Sequence, residues 1–156
     1  MGYILAIEVI CIGDKSIVMK VCVETPKWSL TKYRHVDGRF VKEFTSPLPT
    51  LFNYGYIEGT TGQDGMPKDA IILGERMGQG EEVEVAFVGV IMFVDDGVED
   101  DKMITAKNGR LTVFDRVSIH VFFSAYMVFK WFYYLMAKHR VARCRYGGVS
   151  LFPLTH

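Results

Sequence analysis

A chain of 156 residues is long enough for one domain spanning 1–156, of a size at which about two thirds of the unfolded chain's surface becomes buried. Lysine plus arginine balance aspartate plus glutamate at 18 each, which excludes a general field drawing the protein to nucleic acid or to an acidic membrane surface, so functional charge must be local. The three cysteines, Cys11, Cys22 and Cys144, show no CxxC spacing and argue against a disulfide framework and a zinc site; the expected location is intracellular and reducing, the cytoplasm or an organelle such as the mitochondrion.

The start, Met1 to Ile7, lacks the basic residues and cleavage site of a signal peptide, and Glu8 interrupts its apolar run. Gly2 is followed by Ala6 rather than Ser or Thr, so a myristoylation pattern is not completed. Ile4 to Val23 is rich in Ile and Val around Gly13-Asp14, and reads as strand, turn and strand. Further strands are expected at Arg39 to Phe44, Ala70 to Leu73, Val83 to Met92 and Met103 to Ala106, each bounded by Gly, Pro, Asn or Asp. Short strands at this spacing point to a closed or nearly closed barrel. Ser46 to Thr50 and Glu58 to Lys68 read as loops, which on rigid barrels often carry function.

Val117 to Met136 is almost unbroken aliphatic and aromatic sequence, about as long as a membrane span. Lys130, His120, Ser118 and Ser124 argue against a span and for a helix packed on the barrel. Such a helix normally has a polar face, and this one has almost none. A stripe of Val128, Trp131, Phe132 and Leu135, at spacings of three and four, is therefore expected to dock against other protein subunits, with association to a membrane complex as one form of that docking.

Two acidic turns follow the strands: Asp64 and Asp69 in a Gly/Pro loop, and Asp95, Asp96, Glu99, Asp100 and Asp101 around Gly97. Each alone reads as a solvated turn sooner than as a metal site. Their order says more. Asn53-Tyr54-Gly55-Tyr56-Ile57, then Asp64-Gly65-Met66-Pro67-Lys68-Asp69, then Asp95-Asp96-Gly97-Val98-Glu99-Asp100-Asp101-Lys102 resemble consecutive signatures of the family I soluble inorganic pyrophosphatases. Glu24-Thr25-Pro26-Lys27-Trp28-Ser29-Leu30-Thr31-Lys32-Tyr33-Arg34 is similar to that family's Glu-x-Pro-Lys-x-Ser-x-x-Lys-Tyr-Glu segment, and the resemblance extends more faintly through Phe122-Phe123-Ser124-Ala125-Tyr126 to a last strand at Val141 to Arg145.

The resemblance implies an α+β, mainly β architecture: an OB-like five-stranded barrel with one long apolar helix against it, binding Mg²⁺ and pyrophosphate in an acidic cleft. Carried over by motif, Asp64, Asp69, Asp95 and Asp100 are metal ligands and Glu24 serves an outer metal. Lys32, Lys102 and Tyr126 match positions that bind phosphate oxygens, and Tyr54 one that lines the site. The departures fall in the reactive part. Met66 replaces the aspartate that helps deprotonate the attacking water. Glu43 stands at a phosphate-gripping arginine, Arg34 at the glutamate after Lys-Tyr, and Met127 at the lysine after the helix tyrosine.

Those losses lead to the expectation of a catalytically impaired pyrophosphatase-like domain acting as a structural subunit. The alternative is a working Mg²⁺-dependent pyrophosphatase that replaces the missing base by a metal-activated water or by Asp96 or Glu99. A nucleic-acid module stacking bases on Trp28, Phe52 and Tyr54 is disfavoured by the zero net charge, and no nucleic-acid partner is expected.

Overall fold

The computed structural model describes residues 10–11, 17–62 and 65–151. In chain order its elements are β1 (Ile10–Cys11), β2 (Ile17–Thr25), β3 (Thr31–Val36), β4 (Arg39–Thr45), β5 (Asn53–Ile57), β6 (Asp69–Leu73), β7 (Glu82–Asp95), β8 (Val98–Glu99) and β9 (Lys102–Ala106), then helix α1 (Val113–Lys138) and β10 (Arg145–Leu151).

Five strands close on themselves: β2 pairs β5, β5 pairs β6, β6 pairs β9, β9 pairs β7, and β7 returns to β2. Closure satisfies strand edges that would otherwise template aggregation. The result is the expected OB-like barrel, mainly β, with one helix against it. The 14-residue β7 makes closure possible by changing neighbours along its length. Its start pairs β2, its middle β9 and its end β10, with an irregularity between Phe87 and Gly89 that turns the strand from one to the next. At Gly55, opposite Val23, a Cβ would strike the Cys22 carbonyl oxygen, so no larger residue fits between β5 and β2.

Strand alternation feeds two apolar clusters. On β6, Ile71 and Leu73 join Phe52, Ile91, Phe93 and Ile104, whereas Ala70 and Ile72 join Val21, Val23, Ile57 and Val85. The first cluster is roofed by Ile119, Phe122, Phe123 and Tyr126 of α1, the i, i+3, i+4, i+7 stripe of an amphipathic helix. Phe52 and Tyr54 are buried here, which removes both as base-stacking surfaces.

The helix begins at Val113, earlier than the apolar run from Val117, because Thr112 and Asp115 form a reciprocal capping box. It ends at Lys138, with His139 left-handed at the C-cap. Its outer face exposes Val117, Val121, Phe132 and Leu135. Among the described residues no helix is long and apolar enough to cross a membrane.

Three strand expectations need correction. The last strand is Arg145–Leu151 rather than 141–145; residues 141–144 are irregular. Strands β3 and β5 were not expected as strands, because β3 (TKYRHV) is largely polar and β5 centres on a glycine. Most of the first strand expected from Ile4, and the Gly13-Asp14 turn, lie outside the described residues.

Candidate functional site

A cleft of about 840 Å³ opens beside the barrel where several elements end. Strand β2 delivers Glu24, the β3–β4 hairpin delivers Lys32, Arg34 and Glu43, and the loop before β6 delivers Met66. Asp69 starts β6, Asp95 ends β7, Asp100 lies between β8 and β9, and α1 contributes Tyr126, Lys130 and Tyr134. The Asp96-Gly97 turn, at φ 52° and 83°, reverses the chain in two residues, which keeps the acidic segment at the cleft. Eight lining carboxylates face four lysines and arginines, so a bare polyanion is repelled and a cation-loaded one is not.

Lys102 organises the cleft floor. The parallel register that sets Ala70 beside Met103 brings the preceding residues, Asp69 and Lys102, together. The Lys102 side chain is 1% exposed, and its Nζ donates to Asp69 Oδ2 at 3.2 Å and Asp100 Oδ2 at 3.0 Å. Burial works against its charge, but Asp69 and Asp100 outweigh burial and hold its pKa well above the usual lysine value. Burial likewise pushes Asp69 up, yet Lys102 and Lys32 together keep it below the usual carboxylate range. Lys102 is thus committed to two carboxylates rather than held free at the cleft surface.

Glu24 is buried at the end of β2, and its Oε1 accepts the His35 backbone N–H at 2.6 Å. Burial raises its pKa to about 7; that hydrogen bond and the nearby Lys32 and Arg34 offset burial only partly, and Asp69 adds to the rise. Tyr54 sits behind Lys32 rather than on the main cleft wall: it is buried, with the Lys32 ammonium 5.6 Å from its ring centroid. Tyr126 lines the cleft from α1.

The hairpin ties two of the cleft's cations to one carboxylate. Glu43 accepts from Arg34 Nη2 at 2.9 Å and approaches Lys32 Nζ at 3.5 Å, so one carboxylate engages two cations of the cleft. Arg34 and Glu43, which the resemblance sets against a glutamate and an arginine, are thus bonded to each other.

Asp95 lines the cleft, but its oxygens are held by α1 and the segment before β10. Oδ2 accepts from Lys130 Nζ at 3.0 Å, while Oδ1 accepts from Tyr134 Oη at 3.1 Å and lies 3.6 Å from Cys144 Sγ. Lys130 outweighs burial and holds the carboxyl below its ordinary value. Lys130 and Tyr134 were missed as site residues in the sequence, although Tyr126, Lys130 and Tyr134 recur at i, i+4, i+8 and so share one helix face. The lysine interrupting an apolar helix was the available signal.

Of the expected metal ligands, Asp69 and Asp100 meet at Lys102, Asp95 is paired with Lys130, Glu24 is bonded to the hairpin backbone, and Asp64 lies outside the described residues. Among the described residues no three His, Cys, Asp or Glu side chains are grouped to hold a metal.

The family model for inorganic pyrophosphatase matches residues 21–133. The inorganic pyrophosphatase of Streptomyces coelicolor is 33% identical over 124 residues, covering 68% of this chain and 75% of that protein. That of Corynebacterium glutamicum is 35% identical over 92 residues, covering 56% of this chain; the chain thus spans just over half, 58%, of that relative's length. Among solved structures, the inorganic pyrophosphatase from Thermus thermophilus superposes with a TM-score of 0.71 at 21% identity, over 86% of this chain and 82% of that one. The one from Coxiella burnetii gives 0.67 at 19% identity, over 90% of each chain. At those identities the structures speak to the fold, and it is the family model together with the Streptomyces relative that decides membership: this chain belongs to the inorganic pyrophosphatase family.

Proposed function

We propose that the cleft binds inorganic diphosphate with Mg²⁺ and hydrolyses it to two phosphates. What carries this reading is the convergence of Asp69 and Asp100, from separate elements, on one buried lysine in a cleft that also presents Lys32 and Tyr126. The donor set fits magnesium: it is all hard carboxylate oxygen, and Mg²⁺ is usually held by one or two carboxylates with waters and phosphate oxygens completing its shell. Asp69 and Asp100 would hold it, and when bound it acidifies a coordinated water and neutralises phosphate charge.

The chain's own residues supply the rest. Lys32, placed against the Phe44 and Tyr54 rings, and the Tyr126 hydroxyl orient phosphate oxygens. Lys102 fixes the two carboxylates in place. Met66 lines the cleft and its thioether takes no proton, so proton acceptance falls to another carboxylate. Arg140 engages Asp96, which leaves Glu99 of β8, at the cleft wall, as our assignment.

Purified protein with excess Mg²⁺ is expected to release phosphate from diphosphate, and Asp69→Asn or Asp100→Asn to reduce that release by about 10²-fold or more, as loss of one transition-state charge stabiliser does. Absence of Mg²⁺-dependent release from the unaltered chain would overturn the proposal.

A second reading, an impaired family member docked as a structural subunit, is supported by the outward apolar face of α1, where Val121 and Phe132 are each 62% exposed. Trp131 is a poor probe of that face, since its Nε1 donates to the Cys144 carbonyl at 3.0 Å and a substitution there cuts an internal bond. Phe132→Glu is the better one. Sedimentation showing an unchanged assembly state for this variant counts against docking through the helix; a smaller assembly with the fold intact supports it.

A further inference from the structure

Lys130 lies in the middle of an apolar helix, where a lysine would ordinarily extend its ammonium to solvent. Instead its side chain is 11% exposed and turns into the cleft. Its Nζ lies 5.3 Å from the Phe44 centroid, 5.6 Å from that of Tyr126 and 5.9 Å from that of Tyr134, so three rings from the hairpin and the helix fix its position. Lys32 approaches the same Phe44 ring at 5.8 Å, which makes the two lysines neighbours across one aromatic side chain. The charge partner of Lys130 is Asp95 Oδ2, whose other oxygen is independently held by Tyr134.

We infer that Lys130 is a phosphate-binding residue of the cleft that Asp95 holds in reserve, so that cation binding at Asp95 and diphosphate binding at Lys130 are coupled. The inference rests on the diphosphate reading of the cleft. A divalent cation taking the Asp95 carboxylate displaces the ammonium. A largely buried ammonium without a counter-ion is costly, and a phosphate oxygen in the same cleft supplies one. Tyr134 retains Asp95 Oδ1 while Oδ2 changes partner. Linkage makes the effect reciprocal: metal tightens anion binding and anion tightens metal binding by the same factor. A purely structural ion pair, by contrast, would tie α1 to the end of β7 and be indifferent to either ligand.

The test is calorimetric titration of the EDTA-treated full chain with Mg²⁺ and with imidodiphosphate, a diphosphate analogue that resists hydrolysis. Lys130→Met removes the competitor for Asp95 and the counter-ion for phosphate at once. It is expected to tighten at least one Mg²⁺ site severalfold while weakening imidodiphosphate binding in Mg²⁺ by about tenfold, the size of one charge-assisted hydrogen bond. Shifts in the same direction, or none, mean a structural pair and overturn the inference. Should Lys130→Met fail to fold, Lys130→Arg serves: its fork grips Asp95 more firmly, so Mg²⁺ binding weakens while imidodiphosphate binding is kept within severalfold. Unchanged Mg²⁺ affinity in that variant overturns the inference too. An unaltered chain that binds imidodiphosphate with Mg²⁺ but releases no phosphate from diphosphate defeats the hydrolytic proposal and leaves Lys130 assigned. One that binds neither ligand defeats the Lys130 assignment.

Discussion

Glu24→Gln should make the metal-free protein more stable above neutral pH and leave it unchanged in mild acid. In the folded protein burial raises the Glu24 pKa from 4.5 to about 7, so between those values the folded state binds a proton that the unfolded chain has released. The stability this gives is fully present below pH 4.5 and is lost as pH rises through 7. A difference of that size, at about 1.4 kcal/mol per pKa unit, corresponds to about 3 kcal/mol between the two limits. Glutamine keeps an oxygen for the His35 N–H and carries no charge to desolvate, so it escapes most of that loss. Urea or thermal denaturation in EDTA, for both proteins from pH 4.5 to 8.5, reads the difference directly. For a chain of this length about 2 to 4 °C of Tm accompanies each kcal/mol. Other titrating groups cancel in the comparison. Parallel stability curves across this range, or a variant less stable than the parent at pH 8, would refute the reasoning that burial dominates at Glu24.

Further outcomes follow from the hairpin, the loop and the core. Glu43→Gln releases Lys32 and Arg34 toward the cleft and should lower KM for diphosphate severalfold, while shifting stability by no more than about 1 kcal/mol, as partly exposed pairs do; a raised KM would contradict it. Met66→Asp supplies a proton acceptor but leaves both cations engaged by Glu43, so its gain in kcat should fall well short of the 10²- to 10⁴-fold typical of a general base. Adding Glu43→Gln should increase that gain, and steady-state kinetics of the single and double variants measure the coupling. Phe123→Ala, in a fully buried site ringed by Phe52, Phe93, Tyr126 and Tyr146, should cost about 3 to 5 kcal/mol in urea denaturation. A loss under 1 kcal/mol would mean that α1 is not part of the cooperative core.

The sequence by itself determined the family and the apolar elements, though not β3, β5 or the place of β10. Apolar runs such as Ala70 to Leu73 and Val83 to Met92 are strands because a buried strand can be apolar on both faces. The order of the Asn-Tyr-Gly-Tyr, Asp-Gly-x-Pro-x-Asp and Asp-Asp-Gly segments carried the kinship, since motif order survives where overall identity does not. Lys32, Tyr126, Asp69 and Asp100, which the sequence singles out because each lies within or beside a motif, all line the cleft. Only the tertiary structure decided which charges meet. Glu43 is nine residues from Arg34, Asp69 is 33 from Lys102, and Asp95 is 35 from Lys130. No local pattern records those pairings. They depend on the β6–β9 register, on the bulged hairpin and on how far α1 rotates over β7, all set by the packing of Ile119, Phe122 and Phe123 against the barrel. A charge acts over a few ångströms of space, whereas a motif is read along the chain, so the committed state of Lys102, Glu43 and Asp95 belongs to the fold alone.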